Sequence, residues 1–471
     1  MKPKSRNSLL LAYYGDDFTG STDVMESLSR AGLKTVLFLR PPTKVQLARF
    51  PDLRAFGIAG GSRAMSPAQM ARELPPAFKA LKASGAPFVH YKTCSTFDSS
   101  PTVGSIGKAI ELGRRVFGPA LTPLVVGAPV LGRYVAFGNL YARSGLDSAL
   151  FRLDRHPTMS RHPVTPMNEA DLRLHLSAQT SLPVELVDLL RLEQTQASST
   201  LPDFIAKPTG VPPVVLFDTT SESQLPVIGR LICSAAPRGK ALFVAGSSGI
   251  EYALVARWRE IGWLGKVPLD AATPRLEARQ VVTISGSCSP VTDRQIARAA
   301  ADGFVEIACD TLRLARRQSS AAAINDAIAR AQPALTSGRN VIFQTARGPV
   351  DSRRRGFERI AQSLPGNTRA EKLALAGESL GHGLANILER ALALSGARRA
   401  VVCGGDTSTH AARALGIEAL EFVAPVAPGG PLCQVHAPGR VTDGCELVFK
   451  GGQVGRDSFF LELAGRSTTL K

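Results

Sequence analysis

The sequence predicts an α/β protein of two domains, each a mainly parallel sheet flanked by helices, with the active site in the cleft between them. Three observations lead there. Short apolar runs alternate with helical patterns, as buried strands and their crossover helices do. Each such run ends in a loop of Gly, Ser, Thr or Asp. The polar, Pro-containing stretch GKVPLDAATPRLEAR at 265–279 interrupts the pattern and marks a boundary, giving domains of 1–265 and 280–471.

The first apolar run, 9–14, is followed by Gly15-Asp16-Asp17-Phe18-Thr19-Gly20-Ser21-Thr22-Asp23, a helix to about residue 30 and a strand at 35–39. The same order recurs at 241–245 with Gly246-Ser247-Ser248-Gly249 and a helix through Trp258. It recurs again at 280–284, with the loop from Ser285 to Asp293 and a helix from about 294. The last case is 400–403, then Gly404-Gly405-Asp406-Thr407-Ser408 and a helix to about 415. In parallel sheets ligands gather at the carboxyl ends of the strands, so all four loops are site candidates. A second Pro-rich polar stretch, 193–213, reads as a linker or as a surface excursion inside the first domain.

A chain of 471 residues can bury a core without disulfides or metals. Apolar residues make up 44% and charged residues 20%, which excludes a disordered chain. The net charge of +17, from 56 Lys and Arg against 39 Asp and Glu, favours acidic partners: nucleic acid, anionic membrane, or phosphate and carboxylate ligands. The densest run, Arg353-Arg354-Arg355, is short and reads as a solvated helix face or loop. Nucleic-acid binding would call for clustered cations with interleaved aromatics; aromatics are 6% and no such cluster occurs, so no nucleic-acid partner is expected. The 7 cysteines are scattered without a CxxC pair, which points to a reduced compartment. The apolar run near the start meets Asp16-Asp17 too soon to be a signal-peptide core. No stretch approaches the roughly 20 apolar residues of a membrane helix. The expected setting is the cytoplasm, with no membrane partner.

In the second domain, Gly404-Gly405-Asp406-Thr407-Ser408 joins glycines that let an anion approach the backbone to hydroxyls that suit a helix start. Asp406 can hold magnesium through water or bind a ribose hydroxyl. Ser285-Gly286-Ser287 with Thr292 has similar chemistry. Lys450-Gly451-Gly452-Gln453-Val454-Gly455 adds a cation that can neutralise phosphate, or else forms a hairpin turn with an exposed lysine. None of these has the P-loop spacing, and the first strand-loop-helix unit lacks GxGxxG, which argues against a dinucleotide-dependent oxidoreductase.

In the first domain, Asp16, Asp17 and Asp23 at one helix start exceed what capping needs. One aspartate can cap, and another can take the proton of a substrate hydroxyl in phosphoryl transfer. Asp17 is the choice for the base, with Asp16 its rival. The segment Tyr91-Lys92-Thr93-Cys94-Ser95-Thr96-Phe97-Asp98-Ser99-Ser100 suits a polyhydroxy acid, with Ser and Thr for hydroxyls and Lys92 for the carboxylate; a plain Ser/Thr-rich turn fits these residues equally. His156 and His162 lack a third ligand at metal spacing. Cys94, Cys288 and Cys403 stand beside site loops without a paired base and read as small buried thiols.

Taken in order, these motifs resemble the four-carbon acid sugar kinase family, which includes 3-oxo-tetronate, D-threonate and D-erythronate kinases and related 3-oxo-isoapionate kinases. The matching stretches are Asp16 to Gly20; Tyr91-Lys92 with Cys94 to Ser99; Gly127-Ala128-Pro129 with Arg133; and His162-Pro163 through Met167. They continue with Gly246 to Gly249, Ser285-Gly286-Ser287 with Thr292 and Gln295, Gly404 to Ser408, and Lys450-Gly451-Gly452. The resemblance implies an N-terminal domain that binds the sugar acid and a C-terminal domain that binds ATP with magnesium. Asp16, Asp17, Lys92, Ser95, Thr96 and Arg133 would face the acid. Ser287, Gly404, Gly405, Asp406, Thr407 and Gly451 would face the nucleotide, with Ser285 and Gly452 beside them in the same loops; no side chain is assigned as a direct metal ligand.

The implied activity is an ATP-dependent phosphotransferase acting on a hydroxyl of 3-oxo-tetronate, 3-oxo-isoapionate or a tetronate in carbohydrate acid catabolism, and a homodimer is open. Departures at Tyr14-Gly15, at Ser100 to Gly107, at Thr409-His410 and at Val454 bear on which acid is used, not on the kinase class. The alternative is a non-catalytic binding or regulatory protein on the same fold. Its signature would be loss of the acidic pair or of the Gly404–Ser408 loop, and both are present.

Overall fold

The computed structural model describes residues 8–143, 149–162, 164–197, 210–265, 276–316, 319–366 and 368–466. The chain divides into two compact units, Met1–Pro268 and Leu269–Lys471. That division falls inside 265–279, of which 266–275 lie outside the described residues, as do 198–209 of the stretch 193–213.

In the first unit the apolar runs form β1 (Leu11–Gly15), β2 (Thr35–Phe38), β3 (Ala55–Ala59), β4 (Phe88–Lys92) and β5 (Thr122–Val125). There follow β6 (Arg133–Ala136), β7 (Asn139–Arg143), β8 (Leu150–Arg152), β9 (Val184–Val187), β10 (Val214–Phe217) and β11 (Leu242–Gly246). The main sheet is parallel, in the order β2-β3-β1-β4-β11-β5-β10-β9. Every residue of β1, β3, β4 and β11 is buried, which is why these strands read as unbroken apolar runs. Gly15 pairs with Ala59 on one side and Lys92 on the other, and Lys92 pairs with Gly246. The segments leaving β1, β3, β4 and β11 therefore emerge side by side. The helix Phe18–Arg30 begins directly after β1 because Asp17 caps it, Oδ1 accepting from the Gly20 N–H at 2.5 Å.

The sequence pattern did not point to the small antiparallel sheet β6-β7-β8. Its β6–β7 turn holds Phe137 at φ 49° and Gly138 at φ 82°, the primed geometry that tight hairpins favour. A phenylalanine there is strained. Buried Asp218 offsets the strain by accepting the N–H groups of Phe137 and Gly138 at 2.6 and 2.9 Å.

The second unit contains β12 (Val281–Ser285), β13 (Val305–Ala308), β14 (Val341–Gln344), β15 (Arg399–Cys403), β16 (Ala419–Ala427), β17 (Gly430–His436) and β18 (Glu446–Lys450). Within it the strands lie in the order β13-β14-β12-β15-β18-β17-β16. The first five are parallel, and β17 runs antiparallel to both β18 and β16. The hairpin between β16 and β17 turns at Pro428-Gly429, with Gly429 at φ 77°, a pairing suited to a type II turn. The helix expected from about 294 starts earlier, at Pro290, because Ser289 caps it and proline fits the first helical turn.

Arg399 ties the start of this sheet together. Its side chain, 2% exposed, reaches Glu446 at 2.7 Å on the neighbouring strand. Its Nη1 donates to the carbonyls of Glu277 and Leu463 at 2.9 and 2.8 Å. Breaking a fully buried pair costs about 3–5 kcal/mol; Glu446 keeps some contact with water, so Arg399→Ala should destabilise the second unit by about 2–3 kcal/mol. Urea denaturation of the native and variant proteins checks this.

Candidate active site

The in-register strand ends of the first unit bring four aspartates and three cations to one edge. Asp16, directly after β1, is only 4% exposed. Its Oδ1 is buried with no hydrogen-bond partner among the described residues. Burial, and then the neighbouring charge of Asp17, push its carboxyl up to about 7, against the pull of Arg63 and Lys92. Asp17 is committed differently. It caps the helix and pairs with Arg63 Nη1 at 2.9 Å.

Arg63 lies just beyond β3, its backbone N–H donating to the Asp16 carbonyl. Its Nη2 also reaches buried Asp98 at 2.5 Å. Asp98 accepts further hydrogen bonds from Thr96 Oγ1 at 2.5 Å and Thr165 Oγ1 at 3.3 Å. Burial alone would raise the Asp98 carboxyl, but the charge and hydrogen bonds of Arg63 hold it below the ordinary carboxylate range. Phe97, between Thr96 and Asp98, sits at φ 54°, so this loop is held in a conformation that a phenylalanine rarely adopts.

Lys92 ends β4 with its side chain 4% exposed and its Nζ 3.4 Å from Asp23 Oδ2. Thr96 is buried and Ser95 partly exposed on the following loop. Arg133 begins β6, and its Nη1 donates to the carbonyls of Leu131, Gly132 and Arg143 at 3.1, 3.2 and 3.1 Å. Its Nε is buried without a partner among the described residues. Its backbone bridges Ala128, just beyond the carboxyl end of β5, and burial pulls the guanidinium below its ordinary value. His162 Nδ1 and Thr165 Oγ1 meet at 3.0 Å. Pro163, between the matched residues of that stretch, lies outside the described residues.

In the second unit the loops after β12, β15 and β18 meet, because Ser285 pairs with Cys403 and Cys403 with Lys450. Glycine is required where they touch. A Cβ on Gly286 would fall 2.2 Å from Thr407 Oγ1, and one on Gly452 would fall 2.7 Å from Ser287 Oγ. Gly404 sits at φ 114°, at the start of the helix Gly405–Ala414, which no side chain caps. Its first-turn N–H groups can therefore serve an anion. Ser285 and Thr407 are buried, while Asp406 is exposed at that helix start.

Ser287 Oγ accepts from the Ser289 N–H at 3.2 Å and orients the first loop. The expected alternative of an exposed lysine at Lys450 does not hold: Lys450 is fully buried. Its Nζ donates to Thr292 Oγ1 at 3.1 Å, and Thr292 Oγ1 donates to the Gly452 carbonyl at 2.8 Å. This relay fixes the Gly451-Gly452 turn, and burial pulls the lysine below its ordinary value. These glycine-backed loops, uncapped helix start and exposed carboxylate fit a nucleotide polyphosphate.

The sequence-predicted residues of each unit thus lie together: Asp16, Asp17, Lys92, Ser95, Thr96 and Arg133 in the first, and Ser285, Ser287, Gly404 to Thr407, Gly451 and Gly452 in the second. Sequence reasoning missed Arg63 and gave no role to Asp98, Thr165 or Ser248. The signal for Arg63 was Gly60-Gly61-Ser62-Arg63 after the apolar run of β3, another strand-to-polar-loop junction.

Comparison with known proteins adds the family. Residues 11–254 match the model of a sugar-binding N-terminal domain and residues 282–460 that of a nucleotide-binding C-terminal domain. The 3-oxo-isoapionate kinase of Paraburkholderia graminis is 48% identical over 453 residues, covering 96% of this chain and 93% of that one. The 3-oxo-tetronate kinase of Pseudomonas fluorescens is 30% identical over 471 residues, covering 97% of each. Among solved structures, a Salmonella typhimurium LT2 protein superposes with a TM-score of 0.71 at 24% identity, covering 96% of this chain and 98% of that one, a likeness of fold. With both domain models matched in order and a relative this similar along nearly its whole length, the chain belongs to the four-carbon acid sugar kinase family.

Proposed function

We propose that this sugar acid kinase transfers the γ-phosphoryl group of ATP to a hydroxyl of a small 3-oxo sugar acid, with Asp16 as the group that accepts the hydroxyl's proton. The observation that carries this is the buried Oδ1 of Asp16, without a hydrogen-bond partner among the described residues, on a carboxyl pushed up to about 7. A base poised near neutral pH is what proton abstraction needs. Asp17, the choice from sequence, spends one oxygen on the helix cap and the other on Arg63, so it holds the site in shape. Lys92 and Arg133 supply positive charge for the carboxylate of the acid, and Ser95 and Thr96 supply hydroxyls. Transfer requires the acid held by the first cluster and the nucleotide held by the second to meet in line during the reaction.

For the nucleotide, Ser285, Ser287, Gly404, Gly405, Thr407, Gly451 and Gly452 would hold the phosphates through backbone N–H groups and hydroxyls. Asp406 would hold Mg2+ through water, and the ion would neutralise charge on the phosphates. Greater identity to the 3-oxo-isoapionate kinase than to the 3-oxo-tetronate kinase, 48% against 30%, supports 3-oxo-isoapionate as the first substrate to try. The 7 cysteines are scattered along the sequence without a CxxC pair, which supports a reducing, cytoplasmic setting. Among the described residues no helix is long and apolar enough to cross a membrane.

Losing a general base removes about 10²–10⁴-fold in rate. Asp16→Asn should lower turnover by that range while both Michaelis constants stay near native. Native turnover should rise with pH through about 7 as Asp16 loses its proton, and Asp17→Asn should lose less. If Asp17→Asn proves the inactive variant, the base moves by one residue.

Linkage gives an independent check on Asp16. Its carboxyl keeps a proton up to about pH 7 when folded but loses it near 3.8 when unfolded, so native stability falls as pH rises through that window. Calorimetric melting should therefore find Asp16→Asn more heat-stable than the native enzyme above neutral pH, with the difference closing towards pH 4.

Asp406→Ala should weaken ATP binding by about tenfold with magnesium present, the loss expected for one charge-assisted contact, and less without the ion. Isothermal calorimetry decides, and unchanged affinity in both conditions removes Asp406 from the site. An ATP-consumption assay across 3-oxo-isoapionate, 3-oxo-tetronate and the tetronates should show the highest kcat/KM with 3-oxo-isoapionate. A higher value for another acid reassigns the substrate.

A further inference from the structure

Lys92 is a buried cation whose surroundings are unusually complete. It stands at the carboxyl end of β4, where the first turns of two helices converge, Phe18–Arg30 and Gly249–Glu260. Its Nζ lies 3.4 Å from Asp23 Oδ2 on the first helix, and a Cβ on Gly20 would approach that Nζ to 3.4 Å. Ser248, at the start of the second helix and 1% exposed, donates its hydroxyl to the same Asp23 Oδ2. Asp23 is thereby gripped from one helix while it faces the lysine from the other. The Asp16 backbone N–H donates to the Lys92 carbonyl at 2.9 Å, and the Asp16 carboxyl acts on the Lys92 ammonium electrostatically.

We propose that Asp23, held by Ser248, is a positioning residue that keeps the Lys92 ammonium in place and charged so that it can receive the anionic end of the sugar acid. This rests on the reading that Lys92 faces the acid. The physical need is plain. An ammonium removed from water tends to lose its proton, and an unheld lysine side chain has several rotamers to choose from. Asp23 answers both: it is the nearest opposite charge, and its own orientation is fixed by the hydroxyl of Ser248.

The other titratable groups facing Lys92 are Glu251 from the second helix, Asp16 from the loop after β1 and Cys94 from the loop after β4. Glu251 is itself engaged by His90 Nδ1 at 2.5 Å. Glu26 and Tyr252 face Asp23. Among the carboxylates of the described residues, Asp23 alone lies within ion-pairing distance of the ammonium. Burial opposes the charge on Lys92, and the carboxylates, Asp23 first, hold its proton on more tightly than usual.

The test combines a titration with kinetics. The Lys92 signal is assigned by its absence in Lys92→Met, and its pKa is followed by NMR in enzyme carrying ε-¹³C-lysine. In Asp23→Asn that pKa should fall by about 1–3 units, the usual effect of one opposite charge at this range. The Michaelis constant for the acid should then climb with alkaline pH, reaching about tenfold over native once the lysine has lost its proton, while that for ATP stays put. Ser248→Ala should shift both readouts in the same direction by less, and Asp23→Glu should restore part of the effect. A Lys92 pKa unmoved in Asp23→Asn overturns the proposal, whatever the activity. A native-like acid constant in Lys92→Met instead overturns the reading that Lys92 faces the acid, a separate failure.

Discussion

The guanidinium of Arg63 joins two carboxylates, Asp17 at 2.9 Å and Asp98 at 2.5 Å, and the acid cluster depends on that double grip. Asp16, Asp17, Asp23 and Asp98 come to the same edge of the first sheet, and like charges so close disfavour one another. Arg63 takes the charge of Asp17 and Asp98, and Lys92 that of Asp23, so the aspartates can stay near one another without all of them taking up protons. Asp16 is left out of these ion pairs. Buried, and lacking an ion pair among the described residues, it is the one of these four aspartates whose proton affinity is raised to about 7. The raised proton affinity of Asp16 is thus a consequence of how its neighbours are satisfied.

The second unit uses the same sheet geometry for a different task. Its loops also leave the carboxyl ends of adjacent parallel strands, but glycines and small hydroxyls replace charged side chains. A polyphosphate carries its own charge and calls for backbone N–H groups at close range. Lys450 illustrates the difference. Where Lys92 keeps a carboxylate at hand, Lys450 is fully buried among Thr292, the Gly451 carbonyl and the Phe459 ring. It works by holding a turn in place. Its nearest hydroxyl partner is far away in sequence, which is why a lysine before two glycines looks like an exposed hairpin until the sheet is assembled.

Much of the fold was legible because burial on both faces of a parallel sheet leaves a plain mark: an apolar run that stops at a polar loop. Asp16, Lys92, Ser285 and Gly404 each stand at such a stop, and strand register then places them. Other features needed information that local pattern does not carry. Arg63 reaches the site because β3 lies beside β1, a neighbour relation that the order of the segments does not reveal. Asp98 stood inside a recognised motif, yet its role depends on partners at Arg63 and Thr165. The antiparallel β16–β17 hairpin was signalled by Pro428-Gly429, a turn signal that the alternating strand-helix pattern overshadowed. The proposal of Asp16 over Asp17 rests on which side chain caps the helix, and the directions of adjacent side chains at one turn cannot be told apart without coordinates.

The central claim is that the packing of this edge keeps one carboxyl, that of Asp16, protonated until near-neutral pH. Carbon-13 NMR of the enzyme labelled at the aspartate carboxyl carbon, with Asp16 assigned by its loss in Asp16→Asn, measures this directly. The account predicts a resonance that titrates at about 7 and shifts when a sugar acid binds. An Asp16 carboxyl titrating near 4, as an ordinary aspartate does, would contradict it.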